Sequence, residues 1–384
     1  MEKREDFWDI FDRTLKMIKN QPVLANLIFN NGEKYQILIA QSYINFISSP
    51  FISAGSLENL KNEYSNNKIG WLTPLQSLYV LLSTTQLFRF IFIRRLFLIN
   101  SRLKKNVFII PGNHRLRFIN AKNKNIYVVL KCEENSNFIE NEIKIRNQFN
   151  LSYTPKFLSF GINWFEEEYF SGTPINRIAN TKKTINIKTD LMIKHNKQII
   201  IPSLSYIGCP EYISRAIYQI EQLIDRLTKQ NQNKIKDYCP LRTLRLIHNN
   251  HPYINNNIPI STTHGDFQVS NILVGEKATK IIDWENTTTR FSFYDEFVLY
   301  SGIRQTPDYN IRTLLDIYYY NFIVNKKSDL IKSIDLANFP RGLFYLSIIV
   351  EETLFITNDQ LSKNYMLDSN KPNILSDYLL SIDS

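Results

Sequence analysis

The residues best suited to chemistry fall in Thr262-Thr-His-Gly-Asp-Phe-Gln-Val-Ser-Asn-Ile-Leu-Val274, with Asp283 ten positions after Leu273 in Ile281-Ile-Asp-Trp-Glu285. Asp266 precedes Asn271 by five positions. An amide oxygen and a carboxylate oxygen form a donor pair for a hard cation such as Mg²⁺, which takes one or two protein carboxylates and completes its shell with phosphate and water. A further carboxylate just outside that pair can orient a hydroxyl and accept its proton. Phosphoryl transfer needs this division of labour, with Asp266 at the incoming hydroxyl and Asn271 and Asp283 on the metal. A tight loop followed by a short hairpin would carry all of them to one edge.

The flanking sequence supplies elements to hold such a loop. Val107–Ile110 reads as a strand, Pro111-Gly112-Asn113 as a turn and Arg115–Asn120 as a returning strand. After a turn at 122–125, Ile126–Leu130 is strongly β-prone. Phe138–Phe149 has helical spacing, and strands return at Phe157–Ile162 and Trp164–Phe170. This predicts a small antiparallel sheet with one helix packed on it. Beyond Gly172 the pattern is helical at 212–230, 241–248, 291–303, 309–325, 342–357 and 373–381, broken by a strand–loop–strand insert at 259–284. Ahead of the sheet, residues 5–19 form an amphipathic pattern through Phe7, Ile10, Phe11, Thr14, Leu15 and Ile18, and 54–70 reads as loop. The apolar stretch Trp71–Ile99 falls short of the roughly 20 apolar residues of a membrane span. It contains Ser and Thr and is interrupted by Arg89, Arg94 and Arg95. A buried helix is expected there, with a basic interfacial helix as the alternative.

His264-Gly265-Asp266 and Asp283-Trp284-Glu285 resemble the signatures of the aminoglycoside phosphotransferase and choline kinase family, the small-molecule relatives of the protein kinases. The resemblance runs from about Val107 to Tyr300 and leaves residues 1–100 outside. It implies an α+β, bilobal protein-kinase-like fold, with an antiparallel-sheet N-lobe and hinge over 106–172 and a mainly helical C-lobe over 173–384; ahead of it, residues 1–105 are expected to form a helical N-terminal extension. The resemblance further implies that Lys131 grips phosphate and that Glu142, in preference to Glu140, holds that lysine. Glu168, Tyr169 and Phe170 would form the hinge against an adenine edge, and Asp295 would brace the catalytic loop. His264 reads as a structural loop residue, and Glu285 as support beside Asp283. One departure is the absence of a Gly-x-Gly-x-x-Gly loop. Its position holds Pro111-Gly112-Asn113-His114-Arg115, where Arg115 or amides near Gly112 would meet phosphate. The cofactors implied are ATP, with GTP open, and Mg²⁺. The partner implied is a small molecule bearing a hydroxyl. A non-catalytic kinase-fold binding module has no need for all of Lys131, Asp266, Asn271 and Asp283. A protein kinase is disfavoured by Asp-Trp-Glu and by the lack of a downstream Ala-Pro-Glu.

Composition narrows the setting. Hydrophobic residues make up 43% and charged residues 21%, as in a globular protein. Cys132, Cys209 and Cys239 form no CxxC pair, which disfavours a disulfide framework or zinc site and suits a reducing, cytoplasmic setting. The net charge is +10, and Ser65–Cys132 holds twelve Lys or Arg with no Asp or Glu. That run is expected to face an anion or solvent. No nucleic-acid module accompanies it, so peripheral contact with an anionic membrane, in a kinase for a lipid-linked glycan, is the alternative. A polycationic acceptor would need a carboxylate-lined pocket, for which Glu285, Glu296, Glu351, Glu352 and Asp359 are candidates. From Ser171 onward, 24 basic and 21 acidic residues disfavour it and leave a sugar, an amino alcohol or a glycan precursor.

Overall fold

The computed structural model describes residues 5–30, 35–41, 46–58, 73–85, 90–91, 93–99, 101–112, 114–178, 181–225, 239–250, 253, 255–305, 311–324, 330, 334 and 339–362. They fall into two compact units. One comprises Met1–Ile185 with Ser270–Glu285, and the other Asn186–Val269 with Asn286–Ser384.

The first unit is built on an eight-stranded antiparallel sheet. Its strands lie in the order Ile93–Ile99, Gln36–Gln41, Ile47–Ser48, Val107–Pro111, Arg115–Asn120, Asn125–Leu130, Trp164–Glu168 and Phe157–Gly161. The hairpins from Val107 to Leu130 follow the alternation and turns of the sequence, and helix Asn137–Gln148 buries Ile139 against Val128, Leu130 and Phe165.

The N-terminal extension contains helices Glu5–Lys19, Pro22–Ile28 and Thr73–Thr84; the first matches the amphipathic pattern at 5–19, and Pro22–Ile28 is not foreseen from sequence. The extension also supplies three strands of the sheet, Gln36–Gln41, Ile47–Ser48 and Ile93–Ile99, which the sequence reading does not anticipate. The apolar stretch 71–99 is therefore divided rather than one helix. Thr84 turns its hydroxyl back to the Val80 carbonyl at 2.7 Å near the helix end. The β-prone Ile-Arg-Arg-Leu-Phe-Leu-Ile segment beyond pairs Leu98 with Ile37 and Phe97 with Leu38. No helix among the described residues is long and apolar enough to cross a membrane. Arg89 lies outside the described residues, as does the side chain of Arg94. Arg95 stacks on Trp8 and Phe97 at 5.3 Å from each ring.

Helix Glu5–Lys19 is part of the sheet's core. Phe11, Leu15 and Ile18 pack with Leu38, Val107, Ile109, Leu116, Phe118 and Val129. Thr14 fastens it polarly: its hydroxyl donates to the Ile10 carbonyl at 2.6 Å and accepts the Cys132 N–H at 2.9 Å.

In the second unit, Ser205–Gly208, Asn257–Thr263 and Thr288–Phe291 form a three-stranded antiparallel sheet. Around it lie helices Cys209–Asp225, Cys239–Asn250, Tyr294–Ser301, Ile311–Tyr318 and Arg341–Ser362. The helix expected at 291–303 starts at Tyr294 because 288–291 is taken up by the ladder to Asn257–Thr263. Helix Lys182–His195 is not foreseen from sequence. The helix expected at 373–381 lies outside the described residues.

If the first helix is integral to the sheet, Phe11→Ala should destabilise the first unit by about 3–5 kcal/mol. Urea unfolding with hydrogen exchange on strands 107–130 measures this. An unchanged transition would mean that the helix is a detachable appendage.

Candidate active site

In the first unit, the hairpin Ile272–Val274/Thr279–Ile281 is extended by Thr173–Pro174, the segment just past the hinge. The Ile282 N–H donates to the Asn271 carbonyl at 3.0 Å, which sets the chain carrying Asp283 beside Asn271. Asp283 has a left-handed backbone, φ 72°, uncommon for a residue with a side chain but better tolerated by Asp than by most. Trp284 anchors the turn. It is fully buried, packs at 6.0 Å from the Tyr153 ring and donates its indole N–H to the Ile281 carbonyl at 3.3 Å.

Arg115, at the start of strand Arg115–Asn120, is buried among three carboxylates. Its guanidinium donates to Glu142 at 2.5 Å, bonds Asp283 and lies 3.1 Å from Glu285. Arg117 reaches the same Asp283 oxygen at 3.3 Å. Burial opposes the charge on Arg115, but Glu285, Asp283 and Glu142 more than offset it, and its pKa rises well above the ordinary arginine value. Burial, reinforced by the Asp283 charge, pushes the Glu285 carboxyl up, and Arg115 only partly restrains it.

The Glu142 side chain is buried while Glu140 is exposed. The Glu142 carboxylate also accepts from Arg146 at 3.1 Å, and Arg146 reaches on to Glu167 at 2.6 Å. Lys131 donates to the Gly112 carbonyl at 2.6 Å and lies 5.3 Å from the Phe7 ring. Glu142 thus pairs with both Arg115 and Arg146. The Gly112 amide, considered above for phosphate, donates to the Arg115 carbonyl at 2.8 Å, so that amide is already spent inside the turn.

These groups border a pocket of the first unit. Ile110, Ile119, Ile126, Val128, Phe165, Leu273 and Ile282 provide apolar lining. Arg115, Arg117, Glu142 and Asp283 line it with charge, and Glu168, Tyr169 and Phe170 also contribute. Within the hinge segment, Glu168 N–H donates to Lys156 at 2.9 Å and Tyr169 N–H to Lys124 at 2.8 Å. Both of these amides are therefore engaged within the unit.

In the second unit, Asp295 holds the loop before Asp266. Its carboxylate accepts the His264 N–H at 2.6 Å, the Gly265 N–H at 2.9 Å and His195 Nε2 at 2.8 Å. Burial would raise the Asp295 carboxyl, but the bond and attraction from His195, with those from His264 and Gly265, hold it below the usual value. His264 is fully buried, and its Nδ1 accepts the Asp266 N–H at 3.2 Å. Gly265 has φ 82°, and a Cβ there would strike Arg290 Nη1 and the Asn286 carbonyl, so the loop needs glycine at this point. The Asp266 carboxylate accepts from Gln268 Nε2 at 2.8 Å and from Arg304 Nε at 3.4 Å.

The structure thus gathers Arg115, Glu142, Asp283 and Glu285 in the first unit, beside the backbone of Asn271, and gathers His264, Asp266 and Asp295 in the second. His195, Gln268, Arg304 and Arg146 are missed from sequence. Gln268, two positions from Asp266, carries a local signal, whereas the others meet their partners only through the fold.

No protein-family model matches the sequence, and no curated protein matches it. Among solved structures, the chain is similar to choline kinase from Cryptosporidium parvum Iowa II, with 12% identity over 73% of this chain and 90% of that chain and a TM-score of 0.41. It is similar to Plasmodium vivax ethanolamine kinase, with 16% identity over 86% and 94% of the two chains and a TM-score of 0.40. It is similar also to a glucosamine kinase in complex with glucosamine, ADP and inorganic phosphate, with 12% identity over 72% and 74% and a TM-score of 0.37.

The depressed Asp295 carboxyl gives a signed pH dependence. Its stabilisation is fully present above the unfolded aspartate value, about 3.9, and is lost as pH falls through the lower folded value. Asp295→Asn should cost about 3 kcal/mol or more at neutral pH, and the gap to the native protein should narrow below about pH 4. Urea unfolding at a series of pH values measures the gap. A gap that widens on acidification would contradict the assignment.

Proposed function

We propose that the chain is a phosphotransferase that moves the γ-phosphoryl group of a nucleoside triphosphate, ATP or GTP, to a hydroxyl of a small molecule. The observation that carries the reading is the pocket of the first unit. It combines an apolar lining suited to a purine with two guanidiniums and Asp283, groups suited to phosphate and metal.

The donor set fits Mg²⁺. Asp283 offers a carboxylate, and Asn271 beside it offers amide oxygen chemistry. No cluster of three or more His, Cys, Asp or Glu able to hold a metal occurs among the described residues. So sparse a protein contribution suits an ion that shares its shell with nucleotide phosphates. When bound, Mg²⁺ would neutralise charge on the phosphate being transferred. Arg115 and Arg117 can meet phosphate oxygens by charge-assisted hydrogen bonds. Glu142 anchors Arg115.

Asp266 acts on the acceptor. Its carboxylate takes the hydroxyl proton as the acceptor oxygen bonds the γ-phosphorus. The bond from that phosphorus to the bridging oxygen breaks, and the nucleoside diphosphate leaves. Gln268 and Arg304 hold the carboxylate, and Asp295 fixes the loop that presents it.

Two outcomes follow. Asp266→Asn should retain the fold and lower kcat by about 10²–10⁴-fold in an assay of nucleotide consumption against sugars, amino alcohols and aminoglycosides. Turnover near that of the native protein would overturn the role of Asp266. Asp283→Ala should weaken Mg²⁺·nucleotide binding by calorimetry, and unchanged binding would overturn the metal assignment.

A further inference from the structure

Arg304 is held rigidly beside the proposed base. Its Nη1 donates to Glu352 at 2.7 Å, while Nη2 donates to the other Glu352 oxygen and to the Tyr294 hydroxyl, both at 2.8 Å. The guanidinium lies 3.7 Å from the Phe355 ring centroid, and its Nε is 3.4 Å from the Asp266 carboxylate. The Arg304 and Asp266 side chains keep 10% and 13% of their exposure, so the pair is largely but not wholly closed to solvent.

Among the described residues of this unit, the acids considered above as partners for a cation are withdrawn. Glu352 is fully buried and chelated by Arg304, with Tyr294 donating to it at 2.8 Å. Glu351, also buried, accepts the Tyr212 hydroxyl at 2.6 Å and the Phe291 N–H at 3.0 Å, with Arg290 at 3.5 Å. Glu296 is buried as well. The side chain of Asp359 lies outside the described residues.

Resting on the phosphotransferase reading, we infer that the acceptor is an uncharged alcohol or polyol, and that Arg304 is the positioning residue that discriminates against an ammonium group near the reacting hydroxyl. An ammonium delivered to Asp266 would find that carboxylate already paired with Arg304, and would lose its own hydration in a poorly solvated place without gaining a new counter-ion. It would gain no compensating carboxylate from Glu351 or Glu352. An uncharged hydroxyl needs no new counter-ion and finds Asp266 already oriented by Gln268 and Arg304.

The test uses the full chain with Mg²⁺·ATP and Mg²⁺·GTP, and phosphorus NMR to detect the phosphorylated acceptor. The panel contains sugars, polyols and amino alcohols. It includes pairs matched in shape: glucose with glucosamine, and choline with the alcohol in which a tert-butyl group replaces trimethylammonium. The uncharged member of each pair should have the higher kcat/KM, by about tenfold or more. Arg304→Gln should shrink that ratio, chiefly by lowering KM for the ammonium member. Because Arg304→Gln strands the buried Glu352 charge, the double variant Arg304→Gln/Glu352→Gln is measured beside it, with melting curves to verify folding. A preference for the ammonium members by the native protein overturns the acceptor inference alone, as does an unchanged ratio in the folded variants. Transfer to no member of the panel overturns the phosphotransferase reading, and the acceptor inference falls with it.

Discussion

The first unit depends on one buried cation. Glu142, Asp283 and Glu285 come from a helix and from the hairpin segment and turn that end at Glu285, and without a counter-ion their charges would oppose one another and the loss of water. Arg115 answers all three from a single guanidinium, and only a planar fork with several donors can do so at once. The result is a set of positions as much as a stabilising contact. The helix cannot slide along the sheet, nor the hairpin turn away from it, without breaking a buried ion pair to Arg115. The left-handed backbone of Asp283 is tolerable in this setting because its carboxylate is held at the end of the turn.

The second unit follows the same rule with the signs reversed. There the central group is an anion, Asp295, and its partners are mostly the backbone amides of His264 and Gly265. A carboxylate that accepts main-chain N–H groups fixes backbone rather than side chains. It therefore shapes the loop carrying Asp266 more directly than an ion pair would. Glu351 extends the pattern by accepting the Phe291 N–H at the end of a strand. Acidic residues that look in sequence like ligands for an external cation are, in the fold, mostly supports for main chain or anchors for arginines.

This explains what could be read from the sequence and what could not. Asp266, Asn271, Asp283 and Asp295 stand within one short stretch, so their types and spacing carry the signal unaided. The hairpins between Val107 and Leu130 were equally legible, because alternation and turn residues are local. Arg115 and Asp283 are 168 positions apart, and His195 and Asp295 are 100 apart, so no local pattern connects them. The strands of the extension were obscured for a related reason. In Ile93–Ile99, two arginines are followed by four successive apolar residues, and its identity as a strand is decided by pairing with Gln36–Gln41 more than by its own periodicity.

The basic run Ser65–Cys132 shows the difference most directly. By composition it promises a positive surface. In the fold, Arg115 is buried against carboxylates, Arg117 reaches Asp283, Lys131 binds the Gly112 carbonyl and Lys104 binds the Asn26 carbonyl at 2.6 Å. A share of the excess charge is therefore answered internally, by acids and carbonyls that lie outside the run or are not acidic at all. For the proposed nucleotide this has a definite consequence. Phosphate arriving at Arg115 and Arg117 would not meet free guanidiniums, but would compete with Asp283 for donors already in use. Mg²⁺ arriving with it would supply Asp283 with a replacement cation, so metal and phosphate each compensate for what the other displaces. Neither alone satisfies both the carboxylate and the guanidiniums, which is the physical reason to expect the pair to bind together.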